Sequence, residues 1–257
     1  MSVGESVKEE VKGIFSSCCM PPYLNQTLVV LIPKRNGPKS IGHYRPINLC
    51  NTVYKIVTKI MVLRLKTVIA SLVSLVQTAF IGGRRGTDNV IIAQELVYSL
   101  NQKKGKKGYM IIKIDLEKSY DCLEWSFVRI LLNSIGFCQE TIKLIMSCIS
   151  STSTSILFNG SKMEEFKPSR GIRQGGPISP YIFILCMEFL WALINKKCAD
   201  REWDKVKASK NGPKFSHMFF ANDLLLFAKA NTQNCNAIEE VLEEFCGLSG
   251  QKVSREK

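Results

Sequence analysis

The sequence predicts an α+β fold, and three observations carry that expectation. Two short apolar runs bounded by turn residues, at 28–32 and 109–112, have the length and composition of buried strands. Residues 217–227, HMFFANDLLLF, place Asp223 between two apolar runs, the pattern of a hairpin with an acidic turn. Longer stretches at 53–75, 90–100, 125–135, 180–196 and 235–246 carry helical periodicity or helix-length apolar character instead. The chain has 257 residues and is 46% hydrophobic, enough for a real core and too apolar for a disordered segment.

The formal net charge of +13 points to polyanionic partners. A membrane is the competing partner, but no apolar run is long enough to span a bilayer. The N-terminus, MSVGESVKEEVK, is charged and has no secretory signal pattern. Ten cysteines occur without a CxxC pair, and only His43 and His217 stand by to assist them. This argues against zinc and reads as reduced core thiols of an intracellular protein.

Taken in order, residues 1–22 form a short charged helix with Val7, Val11, Ile14 and Phe15 at helical spacing, stopped by Pro21 and Pro22. TLVVLIP follows as a strand closed by Pro33. The basic, Gly- and Pro-rich KRNGPKSIGHYRP is expected to be a loop. Residues 53–75 form one helix or two, with Lys55, Lys59, Arg64 and Lys66 on the polar side. Residues 77–89, QTAFIGGRRGTDN, break that pattern with three glycines. A helix at 90–100 and the exposed basic turn KKGKKG lead to the strand that ends at Asp115. Helices at 125–135 and 140–149 follow, the first stopped by Gly136. Asn159-Gly160 then marks a hairpin. After the loop GIRQGGP come the long apolar helix, a break at 208–213, the Asp223 hairpin and an amphipathic helix at 235–246. No clean linker appears, so the chain reads as one domain with two subdomains.

A strand-end Asp115 followed by Glu117 and Asp121 has a plain reading, a strand entering the first turn of a solvated helix, where acids sit well. It also suits a divalent metal, because hard cations prefer oxygen ligands. The second acid-bearing segment far downstream favours the metal. Together, KIDLEKSYD, GIRQGGPISP and FFANDLLLF resemble the reverse transcriptase family in order and spacing. KIDLEKSYD is similar to its first catalytic motif, GIRQGGPISP to RQGDPLSP, and FFANDLLLF to FADD. The resemblance runs from about Leu28 to the end and is greatest to the LINE-type, non-LTR retroelements of plants.

That resemblance implies a right-hand polymerase. Residues 1–108 or so are expected to be mainly fingers. About 109–257 would be mainly palm, an antiparallel sheet with Asp115 and Asp223 on adjacent strands and helices on one face, truncated before the thumb. It implies RNA-directed DNA synthesis on an RNA template and DNA primer from deoxynucleoside triphosphates, with two Mg2+ ions. In that chemistry the metals clamp the attacking and leaving oxygens and the protein holds the metals. Asp115 and Asp223 are the implied metal ligands, and Asn222 occupies the place of a third acid. Lys34, Arg45, Tyr120, Gln174, Gly175 and Lys257 are implied nucleotide contacts. Arg45 suits phosphate because a guanidinium grips two oxygens at once. Tyr120 would crowd a ribose 2′-hydroxyl, where the plain reading is a core-packing tyrosine. Arg84 and Arg85 would hold template phosphates, where the plain reading is an interhelical loop. Acting on chromosomal DNA would place the protein in the nucleus.

Three departures stand out. Asn222 replaces the first acid of FADD, Gly176 replaces the acid of RQGDP, and Ser254 replaces the family's usual Asn. Losing one preorganised charge-stabilising group costs about a hundred- to a thousandfold in rate. The sequence therefore implies a degenerate copy with impaired catalysis. The alternatives are a catalytically dead nucleic-acid-binding domain and a maturase-like protein. Neither the thumb nor the endonuclease of LINE proteins fits inside this chain.

Overall fold

The computed structural model describes residues 2–103, 108–209 and 211–254. Lys257 and most of the KKGKKG turn lie outside the described residues. In chain order the first half contains α1 (Val3–Ser17), β1 (Gln26–Pro33), β2 (Tyr44–Cys50), α2 (Thr52–Leu65), α3 (Ile69–Leu72), α4 (Gly86–Gln102) and β3 (Tyr109–Asp115). Next come α5 (Trp125–Ile135), α6 (Gln139–Ser150), β4 (Ser153–Phe158), β5 (Ser161–Lys162) and α7 (Ser179–Ala199). The end contains β6 (Val206–Lys207), β7 (Lys214–Phe215), β8 (His217–Phe220), β9 (Asp223–Lys229) and α8 (Thr232–Ser249). Mixed helix and antiparallel sheet is the expected class.

The chain divides into two compact units, each made of two segments. One is Met1–Leu65 with Leu123–Pro180, the other Lys66–Cys122 with Tyr181–Lys257.

The first unit is organised on a sheet of order β2-β1-β4-β5. The first three residues of β2 were expected to belong to a loop, as the end of a basic stretch rich in Gly and Pro. β2 is an edge strand, paired antiparallel to β1 with Pro46 opposite Leu31, and there a missing donor is tolerated. β1 also pairs in parallel with β4, which lies more than a hundred residues downstream. Asn159 and Gly160 both have positive φ, 47° and 80°, and turn β4 into β5. Gly136 ends α5 at φ 93°, donating its N–H to Leu132 and Asn133 carbonyls.

The second unit is organised on an antiparallel sheet of order β3-β9-β8. Register and the period of two assign the faces. Ile114, Leu224, Phe219 and Leu226 lie on one face and are buried. Tyr109, Phe227, Leu225 and Met218 lie on the other, towards the end remote from Asp115. There Leu96 of α4, fully buried, packs with Val206, Met218 and Phe227. The same face ends in Lys113, Asp115 and Asp223, so one surface is core at one end and open at the other.

Only Cys50, Cys148 and Cys186 of the ten cysteines are buried, fewer than the sequence reading assumed; none of the ten is in a disulfide. Burial pushes the Cys148 thiol up to about 12 and the Cys186 thiol higher still. No helix among the described residues is long and apolar enough to cross a membrane.

Candidate active site: an acidic pair on a cradled hairpin

β3 and β9 bring Asp115 and Asp223 into register as cross-strand partners. Partners of this kind have Cβ atoms about 4.5–5.5 Å apart, and like charges facing each other are destabilising. Lys113, on the same face of β3, lies 4.0 Å from Asp223 with both side chains mostly exposed. An exposed contact of that length offsets little of the repulsion. The Asp115 carbonyl accepts from the Ser254 N–H at 2.9 Å, and Leu116 bridges Val253. The end of the described chain is thereby stitched to the acidic strand, three residues short of Lys257.

Asp223 follows a two-residue turn, Ala221-Asn222, with Phe220 opposite Asp223. Ala221 has φ 52°, a left-handed conformation that costs an L-residue about 1–2 kcal/mol. The turn holds that shape because residues 76–89 cradle it. The side-chain oxygen of Gln77, a fully buried residue, accepts the Ala221 N–H at 3.0 Å and the Ala79 N–H at 3.1 Å. Phe219 donates its N–H to Val76, and its carbonyl accepts the Asn89 amide at 2.9 Å. A Cβ on Gly86 would come within 2.6 Å of the Phe220 ring, so a larger residue where α4 meets the hairpin would displace that ring.

Arg84 completes the cradle. Its guanidinium donates to the carbonyls of Ala70, Val73, Ser74 and Gln77 at 2.5–3.0 Å. Those acceptors include the otherwise orphaned carbonyls at the end of α3. Arg84 is thus occupied by main chain, whereas Arg85 is exposed. Glu188 of α7 accepts both the N–H and the hydroxyl of Ser74, and burial raises its carboxyl above the usual range.

Tyr120 lies in a turn after β3, not at the helix start of the plain reading. It stacks on Phe183 with ring centroids 5.2 Å apart and is half-buried, which raises its phenol.

The remaining predicted residues belong to the first unit. Lys34 and Arg45 stand at the same end of the β1–β2 ladder, both exposed. The Lys34 ammonium donates to the Gly42 carbonyl at 3.2 Å. Asn48 of β2 donates both its N–H and its amide to the Gln174 carbonyl, each at 3.1 Å. Gly175 has φ 95°, and a Cβ there would press on the Asn48 carbonyl at 3.3 Å. The Gln174 loop and the Arg45 strand are therefore bound to each other. The Gly176 position is tight too, because a Cβ would meet the Ser179 hydroxyl at 2.9 Å.

Arg173, given no role from sequence, anchors this loop. It is buried without an ion pair among the described residues. Its guanidinium donates to Asn25, Thr27 and the Cys148 carbonyl at 2.6–2.9 Å and lies 3.6 Å from the Tyr54 ring centroid.

Asp115 and Asp223 offer hard oxygen donors suited to a divalent cation. Asn222, in the turn before Asp223, carries an uncharged amide where the resemblance implies a third acid. Among the described residues no three His, Cys, Asp or Glu side chains gather as a metal site. The donors fit the expected ion in kind and fall one charge short of the implied set.

Residues 32–257 match the family described as reverse transcriptase (RNA-dependent DNA polymerase). Over 238 residues, 93% of its length, the chain is 25% identical to the Pol polyprotein of the type-2 retrotransposable element R2DM of Drosophila melanogaster. Over 178 residues, 69% of its length, it is 26% identical to an uncharacterized 149 kDa protein of transposon TX1 of Xenopus laevis. It spans only 21% and 14% of those two proteins. An uncharacterized mitochondrial protein of Arabidopsis thaliana is 40% identical over 67 residues, covering 26% of this chain and 55% of that one. Among solved structures, apo telomerase of Candida tropicalis, truncated of its C-terminal domain, superposes with a TM-score of 0.62 at 16% identity. The match covers 98% of this chain and 54% of that one and shows a shared fold.

Proposed function

Because this chain belongs to the reverse transcriptase (RNA-dependent DNA polymerase) family, we propose that it is the fingers-and-palm part of a LINE-type, non-LTR retrotransposon polymerase of plant origin. It extends a DNA primer on an RNA template by nucleotidyl transfer. On this reading about 1–108 are mainly fingers and about 109–257 mainly palm. The observation that carries the proposal is the registered Asp115–Asp223 pair at the open end of an otherwise packed sheet. Two carboxylates brought face to face as cross-strand partners are an arrangement suited to holding cations.

Asp115 and Asp223 would hold Mg2+, which supplies charge neutralisation at the attacking and leaving oxygens. The chain's own work is positioning. The Gln77 cradle fixes the turn from which Asp223 projects. Tyr120, braced on Phe183, forms a rigid wall for sugar selection. Lys34 and Arg45 offer exposed cations for triphosphate, and Gln174 and Gly175 present a loop fixed by Asn48. Arg85 offers a charge for template phosphate. Asn222 brings an oxygen without a charge, so the chemical step is impaired while binding is retained.

Single-nucleotide addition on an RNA template and DNA primer with Mg2+ tests this. We expect primer–template binding by the wild-type chain and little extension. Asn222→Asp should extend about a hundred- to a thousandfold faster, and Asp115→Ala in that background should lose the gain. Binding in every variant with extension in none would favour a nucleic-acid-binding domain without catalysis. Extension unchanged by Asp115→Ala would overturn the assignment of the acidic pair.

A further inference from the structure

The end of the three-stranded sheet remote from the acidic pair carries a second feature. Tyr109 faces Lys229 at one end of the β3–β9 ladder, and Asp115 faces Asp223 at the other. The two ends are about 20 Å apart at roughly 3.4 Å per residue. At the Tyr109 end lies a cavity of about 950 Å³. Its lining brings together Lys103, Arg201, Lys205, Lys207, Lys214 and Lys229. Asp204 is the only acid among the described residues of that lining, and it is spent on Lys229 at 3.2 Å.

The cations come from separate elements: the end of α4, the segment after α7, both strands of the β6–β7 hairpin and the last residue of β9. Arg201, Lys205 and Lys214 are exposed and have no ion pair among the described residues. Lys205 donates to the neutral Asn195 side chain at 3.3 Å. Lys103 is fixed at the rim, 4.5 Å from the Tyr109 ring centroid and 2.5 Å from the Lys207 carbonyl. Trp203, fully buried, donates its indole N–H to Phe227 at 3.0 Å and ties this wall to β9. Like charges gathered in a concave, partly apolar wall concentrate the field and attract anions. A lone phosphate is too small to meet cations contributed by so many elements, whereas a strand with one phosphate per nucleotide meets them in series.

We propose that this cavity is a second nucleic-acid site, which takes the phosphodiester backbone of a single strand away from the acidic pair. It rests on the proposed function in one respect, that the polyanion this chain handles is nucleic acid.

The test uses a fluorescent 20-nucleotide RNA of mixed sequence without primer, titrated between 50 and 200 mM salt. Arg201→Glu with Lys214→Glu should weaken binding at least tenfold. Each phosphate contact contributes about −0.7 to the slope of log affinity against log salt for a single strand. The paired variant, and the milder Arg201→Gln with Lys214→Gln, should therefore lower the slope by about 1.4. A charge-matched control, Lys12→Glu with Lys143→Glu on exposed helix positions, should stay within about threefold of wild type. Equal loss in the control would assign the effect to net charge and overturn the site. So would an unchanged slope in both cavity variants. Inorganic phosphate, or vesicles containing anionic phospholipid, bound by wild type and lost in the cavity variant while RNA affinity is unchanged would also overturn it. Extension by the cavity variant carrying Asn222→Asp, at saturating primer–template, keeps failure of this site distinct from failure of the polymerase reading.

Discussion

Gln77 is the residue whose removal tests most directly how the acidic hairpin is held. Gln77→Met keeps the shape and removes the acceptor shared by the Ala221 and Ala79 N–H groups. Each abandoned donor costs about 1–3 kcal/mol. The Gln77 side-chain nitrogen is itself buried without a partner, so methionine relieves one penalty of the same size. The net loss is one donor's worth, about 1–3 kcal/mol, or a fall in Tm of about 2–12 °C for a chain of this length. The loss should concentrate in the turn, because the Gln77 bond is what restrains Ala221 in its left-handed conformation. Hydrogen exchange should rise at 220–223 and remain unchanged in α5 and α6. In an Asn222→Asp background, kcat for single-nucleotide addition should fall with little change in the KM for nucleotide. An unaltered melt with wild-type protection at the turn would refute the idea that Gln77 holds the hairpin.

Three further outcomes follow from other parts of the molecule. Tyr120→Ala in the Asn222→Asp background should raise ribonucleotide incorporation relative to deoxynucleotide; an unchanged ratio would leave Tyr120 a partner of Phe183 and nothing more. Arg173→Lys cannot reproduce a fork shared among Asn25, Thr27 and the Cys148 carbonyl, so the variant should lose about 2–4 kcal/mol by chemical denaturation, since hydrogen bonds to charged groups are worth about 1.5–3 each. Burial, with help from Lys205, holds His217 down to about 3, and its Nε2 has no hydrogen-bond partner among the described residues. The unfolded chain takes up that proton near pH 6.5 and the folded chain does not, so wild-type stability should fall by about 1.4 kcal/mol per pH unit from pH 6 towards 4. His217→Gln should remove that component of the slope.

Much of the fold was legible because local signals agreed with it. The apolar runs of β1 and β3, the Asn159-Gly160 turn, the Gly136 stop and the acid between two apolar runs each specify a local conformation without tertiary help. β2 was not legible, because Pro46 is compatible with a strand only at a sheet edge, and edge position is a non-local property. The parallel pairing of β1 with β4 was hidden for the same reason. α4 starts at Gly86 rather than near 90, inside a stretch whose glycines read as a break. Arg84 illustrates the limit at the site. Nothing in GGRRG distinguishes an arginine that meets phosphate from one that meets carbonyls. Only the arrangement of residues 70–77 around it decides.

The cradle also bears on Asn222. Its contacts fall on Phe219, Phe220 and Ala221, so the machinery that shapes the turn does not use the residue at 222. Replacing Asn222 by aspartate should therefore leave the hairpin intact and change only its charge. A third carboxylate would then stand beside Asp115 and Asp223, with Lys113 at 4.0 Å from Asp223 as the nearby cation. Facing like charges cost about 0.2–1 kcal/mol, so the metal-free variant should melt up to about 4 °C below wild type at low ionic strength. Adding Mg2+ should reverse the order, because the variant gains a charged ligand and binding to the folded state alone raises stability. A variant that melts like wild type with and without Mg2+ would show that position 222 does not face the cation.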